Sequence, residues 1–160
     1  RNLWDRKLIL EGLVLIDKAV RHSRLGPFQV QSAIAGVHAR ATRPENTNWD
    51  EIEQLYRVLE TIQPSPVITL NRAVAVSKLR GPEAALALIE PLAPRLSGYF
   101  HFFGVKGALL AQSGRDDEAR VAFNRAIALA NTPAEAAHIR MNLDRLLEDS
   151  LARRKLDMPA

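Results

Sequence analysis

The stretch GRDDEARVAFNRAIALA, residues 114–130, decides how this chain folds. It opens on a glycine, continues with acidic residues that suit the positive end of a helix dipole, and then repeats small apolar residues at helical spacing. The members of this apolar stripe are Ala119, Ala122, Phe123, Ala126 and Ala130. Because so slender a stripe lets a neighbouring helix approach closely, the stretch predicts one half of a tightly packed helical hairpin.

The composition fits one ordinary globular domain. The 160 residues are 47% hydrophobic and 25% charged, which is enough for a real core. Charges interrupt every apolar run, so we expect no membrane span and no secretory signal peptide. The absence of cysteine excludes disulfides and thiol chemistry and favours a cytoplasmic setting. The chain does not begin with Met, and we expect it to be a piece of a longer protein.

The net charge of +4 is spread along the chain. Bases number 22 and acids 18, they are interspersed, and the compact basic run is RRK at 153–155. A basic balance of this kind supports solubility better than it supports nucleic-acid recognition. We therefore predict no direct binding of nucleic acid by this domain.

Capping residues and prolines divide the chain into helices. The start signals are Ser65–Pro66, Gly81–Pro82, Asn48 with Glu51, and Thr132–Pro133 with Glu135. The eight predicted helices span about residues 3–22, 27–41, 48–62, 66–79, 82–94, 98–112, 115–130 and 133–152. Since most connections are short, neighbouring helices are expected to lie antiparallel.

The chain repeats itself at an offset of 34 residues. The matched pairs are Ala73 with Gly107, Val76 with Leu110, Ala85 with Ala119, Ile89 with Phe123, and Leu92 with Ala126. We expect Gly107 and Ala119 to form the close crossing of one hairpin, with Phe123 filling the gap. A generic helical bundle is the alternative, and the coincidence of five positions at one offset favours the repeat.

The best copy, hairpin 98–130, resembles a tetratricopeptide repeat (TPR). The residues that carry the resemblance are Phe103, Gly107, Leu110, Gly114, Ala119, Phe123 and Ala126. The predicted fold is all-α, with antiparallel helical hairpins stacked as a TPR-like right-handed α-solenoid of about eight helices. We expect a single domain over 1–160, made of an N-terminal helix 3–22, hairpins 27–62, 66–94 and 98–130, and a capping helix 133–152.

Signals of catalysis are lacking in the sequence. None of the four histidines is spaced with other ligands as in a zinc site, and there is no GxSxG motif. We therefore predict no catalytic residue, no metal and no cofactor, and a protein that is not an enzyme. An enzymatic function would need a deep polar cavity with clustered titratable groups.

A stack of hairpins offers a concave face on which polar side chains can hold a partner protein. The predicted contact residues are Asn71, Arg72, Lys78, Gln31, His38, His101 and Lys106. A solvated helix face is the alternative for these positions. The copy of Asn71 at position 105 is Val, so a complete carboxylate clamp is not expected.

A narrower resemblance covers nearly the whole chain. It is carried by LWDR at 3–6, GPFQVQSAIA at 26–35, W-x-x-I-x-x-L-Y at 49–56, SPVITLNRAVAV at 65–76 and GRDDEARVAFNRAIALANTPAE at 114–135. These segments resemble the TPR-like C-terminal domain of bacterial RNA polymerase sigma factors of the extracytoplasmic-function (ECF) type.

This resemblance implies a parent protein that binds core RNA polymerase and promoter DNA through N-terminal sigma domains, which this chain lacks. The domain in hand would be a regulatory module in the bacterial cytoplasm. Its partners would be the sigma domains, core RNA polymerase or a signalling regulator. The alternative is a free-standing TPR-type adaptor that binds a peptide or helix of an unrelated protein.

Overall fold

A computed structural model describes Val14 and residues 26–156, with side chains through residue 149. This part of the chain is helical and contains no strand, which confirms the all-α class. The helices are α1 Pro27–Arg40, α2 Trp49–Ile62, α3 Pro66–Arg80, α4 Pro82–Ile89, α5 Phe100–Gln112, α6 Asp116–Leu129 and α7 Pro133–Leu156. Short 3-10 turns occupy Pro44–Asn46 and Glu90–Leu92. The predicted helix 3–22 lies outside the described residues except for Val14, which is helical.

Local sequence signals set the starts of the helices. Four of them, α1, α3, α4 and α7, begin at a proline, whose fixed φ suits the first helical position. Before α7, the Glu135 N–H donates to Thr132 Oγ1 at 3.2 Å, and the Thr132 N–H donates to Glu135 Oε2 at 3.2 Å. Before α2, the Glu51 N–H donates to Asn48 Oδ1 at 3.2 Å. Both predicted capping pairs are confirmed.

The cap of α2 has a measurable effect on stability. We expect Asn48→Ala to lower the free energy of unfolding by about 1 kcal/mol, because the first turn loses an acceptor for one of its unpaired N–H groups. Asn124→Ala is the matched control, since Asn124 is exposed within α6 and caps nothing. Urea unfolding of both variants measures the difference in the free energy of unfolding. Equal stabilities would show that this cap does not stabilise the fold.

Three predicted helix limits were wrong. The predicted helix 82–94 is too long, because α4 ends at Ile89 and continues only as a 3-10 turn. Pro91 lies inside that turn and has no N–H with which to continue the α-helical hydrogen bonds. The helix predicted from 98 begins at Phe100, since Tyr99 is extended with φ −101° and ψ 106°. The last helix runs to Leu156 rather than to 152.

The chain contains two compact units that divide between Leu79 and Arg80. In the first unit, α1 packs on α2. Its buried core consists of Val30, Ile34, Val37, Ile52, Leu59, Ile68 and Ala75, with Trp49, Leu55 and Tyr56 packed at the margin. The core therefore draws on α1, α2 and α3.

The second unit is built around the hairpin of α5 and α6. The turn between them contains Gly114, which has a φ of +72° that favours glycine. The helices are antiparallel, since the guanidinium of Arg125 in α6 lies over the ring of Phe103 in α5, while Gly107 faces Phe123. Helix α4 packs on α5, and α7 packs on α6 and α5. The predicted antiparallel hairpin is therefore confirmed here.

The slender stripe of α6 is the inner face of this hairpin. Ala119 and Ala126 are fully buried, and Phe123 is 2% exposed. A Cβ built on Gly107 would lie 2.6 Å from Phe123 Cδ1 and 2.7 Å from its Cε1. The predicted close approach at Gly107 therefore exists, and its contact is the ring of Phe123.

Positions matched by the 34-residue offset have similar burial within their own helices. The buried pairs are Ala73 and Gly107, Val76 and Leu110, Ala85 and Ala119, and Ile89 and Phe123. Leu92 departs from the pattern, because it is half-buried in the 3-10 turn whereas Ala126 is buried in a helix.

Candidate functional site

Arg72, a predicted contact residue, belongs to an ion-pair network within the first unit. Its Nη1 atom lies 3.1 Å from Glu60 Oε2 and 3.9 Å from Glu53 Oε1. The side chain of Glu53 is only 7% exposed, and Arg57 Nε donates to its two oxygens at 2.8 and 2.9 Å. Arg72 therefore links α3 to α2 through carboxylates that water reaches poorly.

The other predicted residues of the first unit differ in their surroundings. The ring of His38 meets the edge of Trp49 at 5.5 Å between centroids and 78° between planes, so it packs against the first residue of α2. Asn71 is half-buried, whereas Gln31 and Lys78 are exposed. Gln31 and Lys78 are therefore the solvent-exposed residues among the contacts predicted for the first unit.

His101 lies near the start of α5 beside two aromatic rings. The ring centroids of Tyr99 and Phe100 are each 6.0 Å from that of His101. Partial burial lowers the pKa of His101, and His138 on α7 lowers it further. Both effects favour the neutral form of the His101 ring.

Lys106 opens onto a groove between α5 and α6. We call this the α5–α6 groove; its volume is about 550 Å³. The lining side chains are Phe103, Lys106, Leu110, Asp117, Glu118, Val121, Ala122 and Arg125. Leu110 and Ala122 are buried at its floor, while Val121 is 67% exposed at its side. An apolar surface of this kind on a folded helix is open to contact by another molecule.

The α5–α6 groove carries charges of both signs. Lys106 and Arg125 are its basic side chains, and Asp117 and Glu118 are its acidic ones. Glu118 Oε2 is 2.7 Å from Arg115 Nη2, and this hydrogen bond lowers the pKa of Glu118. The groove therefore combines two basic and two acidic side chains with the apolar surface of Leu110, Ala122 and Val121.

Three of these four charged side chains form ion pairs within the chain. Asp117 Oδ1 is 3.4 Å from Arg120 Nη2, and Lys106 Nζ is 3.2 Å from Glu90 Oε2. Arg125 instead lies over the ring of Phe103, with Cζ 5.8 Å from the centroid. Within the described residues, no carboxylate is within ion-pairing distance of Arg125.

The described residues contain no group of three or more His, Cys, Asp or Glu side chains placed to hold a metal ion. In the same part of the chain, no helix combines the length and the apolar character that crossing a bilayer requires.

Comparison with known proteins gives one informative match. No protein-family model matches the chain. The chain is 64% identical over 146 residues to an uncharacterized protein of Rhizobium meliloti (strain 1021). The match covers 91% of this chain and 34% of that relative, so the chain spans about a third of the relative's length. A closely similar sequence therefore occurs as one part of a longer protein.

Of the eight side chains that line the α5–α6 groove, Lys106 alone was a predicted contact residue. Val121 and Arg125 lie on α6, whereas the predicted contacts were sought mainly on the first helix of each hairpin. Both residues could have been identified from residue type and helical spacing in the sequence. Val121 is an apolar residue outside the alanine stripe, and Arg125 follows it by one helical turn.

Proposed function

We propose that this domain is a non-catalytic, regulatory protein-interaction module of an ECF-type RNA polymerase sigma factor. It acts in the bacterial cytoplasm by docking to the sigma domains, to core RNA polymerase or to a signalling regulator. The α5–α6 groove is the observation that carries the protein-binding part of the proposal. Grooves with apolar floors and charged edges on helical hairpins suit peptides and helices of other proteins.

The assignment to transcription initiation rests on the ordered sequence segments that resemble the C-terminal domain of these sigma factors. The high identity to one third of a longer relative agrees with a module that works beside other domains. Regulation follows if the docking surface has different affinities for two states of the parent protein, because a binding partner shifts an equilibrium only by that difference.

A direct binding assay with purified components tests the proposal. The full chain is immobilised and exposed to core RNA polymerase of Rhizobium meliloti and, separately, to the part of the relative that lies outside the matching segment. We expect at least one of the two to be retained with a Kd of about 1 μM, which corresponds to about −8 kcal/mol. The heat-unfolded chain on the same support is the control.

Two exposed or half-buried residues of α3 provide a variant for this assay. Asn71→Ala combined with Lys78→Ala is expected to weaken retention while leaving thermal stability unchanged, if the predicted α3 face contributes. Retention of neither component would refute the sigma-factor assignment. Capture of an unrelated protein in its place would support the adaptor alternative.

A further inference from the structure

The α5–α6 groove is too short for a globular surface. From Phe103 to Leu110 it follows seven residue steps of α5, about 10 Å at 1.5 Å per residue. That length accommodates two apolar side chains one helical turn apart, which are separated by about 6 Å along a helix. The geometry therefore suits a short amphipathic segment rather than a broad interface.

The ion pairs indicate which charge such a segment would carry. Glu118 pairs with Arg115, Asp117 pairs with Arg120, and Lys106 pairs with Glu90. Arg125 has a guanidinium held over Phe103, and no described carboxylate is near enough to pair with it. The planar guanidinium of Arg125 has N–H donors whose geometry matches a carboxylate.

We propose that the α5–α6 groove binds an amphipathic, acidic segment of a partner protein, with apolar side chains against Leu110, Ala122 and Val121 and a carboxylate on Arg125. This inference rests on the proposed protein-binding function and names the surface and the chemistry of the partner. Charge complementarity selects an acidic rather than a basic segment, because Arg125 is the charged side chain of the lining that has no counter-charge among the described residues.

The test uses the full chain and fluorescein-labelled helical peptides based on alanine. The first peptide has two leucines four residues apart with glutamates in the turn beyond them. The second replaces its glutamates with lysines, and the third has the composition of the first with its leucines on opposite faces. In fluorescence anisotropy, we expect the first peptide to bind at least about 10-fold more tightly than either of the others.

Variants of the groove locate the binding. Arg125→Gln is expected to weaken the glutamate peptide about 5-fold, the factor that about 1 kcal/mol of a partly exposed charge pair corresponds to. Arg140→Gln is the matched control, because it removes one positive charge from an exposed position on α7.

Val121→Glu is expected to weaken binding of the same glutamate peptide about 10-fold or more, since it removes apolar contact and adds like-charge repulsion. Arg125→Glu is expected to move the preference toward the lysine peptide.

Specific outcomes overturn the inference. Equal binding of the glutamate and lysine peptides, no binding of any peptide, or equal effects of Arg125→Gln and Arg140→Gln would each refute it. Circular dichroism and thermal melting of each variant check that the fold persists, and the two substituted groove residues, Val121 and Arg125, are exposed.

The result separates this inference from the proposed function. Retention of RNA polymerase or of the remainder of the relative, without binding of the glutamate peptide, refutes the groove alone. Binding of the glutamate peptide that both groove variants weaken, without retention of either component, supports the groove and refutes the sigma-factor assignment.

Discussion

Gly107→Ala is expected to lower the free energy of unfolding by about 2 kcal/mol, although alanine is the better helix former. The new Cβ would lie 2.6 and 2.7 Å from two ring carbons of Phe123, distances that side chains do not tolerate. Phe123 is only 2% exposed, so its ring has little room to move. Overpacking of this kind costs up to about 3 kcal/mol, and the gain in helix propensity offsets about 1 kcal/mol of it.

Gly104→Ala is the matched control on the same helix. Its Cβ would meet one atom, Cδ1 of Ile139, at 2.9 Å, and that atom is the far end of a flexible side chain. We therefore expect Gly104→Ala to be nearly neutral or slightly stabilising. Urea unfolding curves of both variants give the difference of about 2 kcal/mol as a shift in midpoint at constant slope.

A second substitution assigns the effect of Gly107→Ala to the ring. Phe123→Leu removes the ring atoms that the new Cβ would meet, so the double variant should be more stable than the two separate losses predict. Additive losses, or a Gly107→Ala variant as stable as Gly104→Ala, would show that Gly107 is not a close-packing position.

The sequence predicts most of the helical architecture because its signals are local. Proline at 27, 66, 82 and 133 marks the first residue of a helix in each case. The alanine stripe of α6 and Gly107 in α5 predict a close hairpin, and the structure buries both. Each of these signals acts within one helix or between two that a short turn connects, so spacing alone reveals them.

The ends of helices were harder to predict from the same sequence. Pro91 interrupts α4 inside a run that remains apolar, so periodicity suggested a helix longer than the backbone can form. The identity of the close contact was also only partly predictable. Glycine at position 107 indicates close approach, but which side chain fills the space depends on rotation of α6 about its axis.

The candidate site was the least predictable part of the molecule. Arg72 and Lys78 have the same charge and lie on the same helix, yet Arg72 contacts two carboxylates of α2 while Lys78 is exposed. The partners Glu53 and Glu60 are distant in the sequence, and only the packing of α3 beside them makes the contact. Sequence spacing cannot distinguish a side chain that meets a partner protein from one that meets its own fold.

Arg72→Met is therefore expected to destabilise the fold, by about 2 kcal/mol, rather than merely to weaken partner binding. Methionine keeps the apolar stem of the side chain and removes the guanidinium, so Glu60 and Glu53 lose a counter-charge. Leaving a fully buried charge unpaired costs about 3–5 kcal/mol. The cost is smaller here, because Arg57 still binds Glu53 and the Glu60 side chain is 22% exposed.

Lys78→Met is the matched control, since it removes one positive charge from an exposed position of the same helix. We expect it to leave the unfolding midpoint in urea unchanged. A thermodynamic cycle with Glu60→Met isolates the pair: replacing both partners by methionine should restore part of the stability that Arg72→Met loses, because no carboxylate is then stranded beside α3.

Unchanged stability of the Arg72→Met variant would indicate that Arg72 is a partner-binding residue rather than a structural one. If Arg72→Met unfolds at the same urea concentration as Lys78→Met, the guanidinium contributes nothing to the fold and is available to a partner. If it destabilises the chain and the double methionine variant recovers, the ion pair is structural, and partner contacts on α3 are left to Asn71 and Lys78. Measuring polymerase retention by the recovered double variant then separates the two roles, since that protein is folded but lacks the guanidinium.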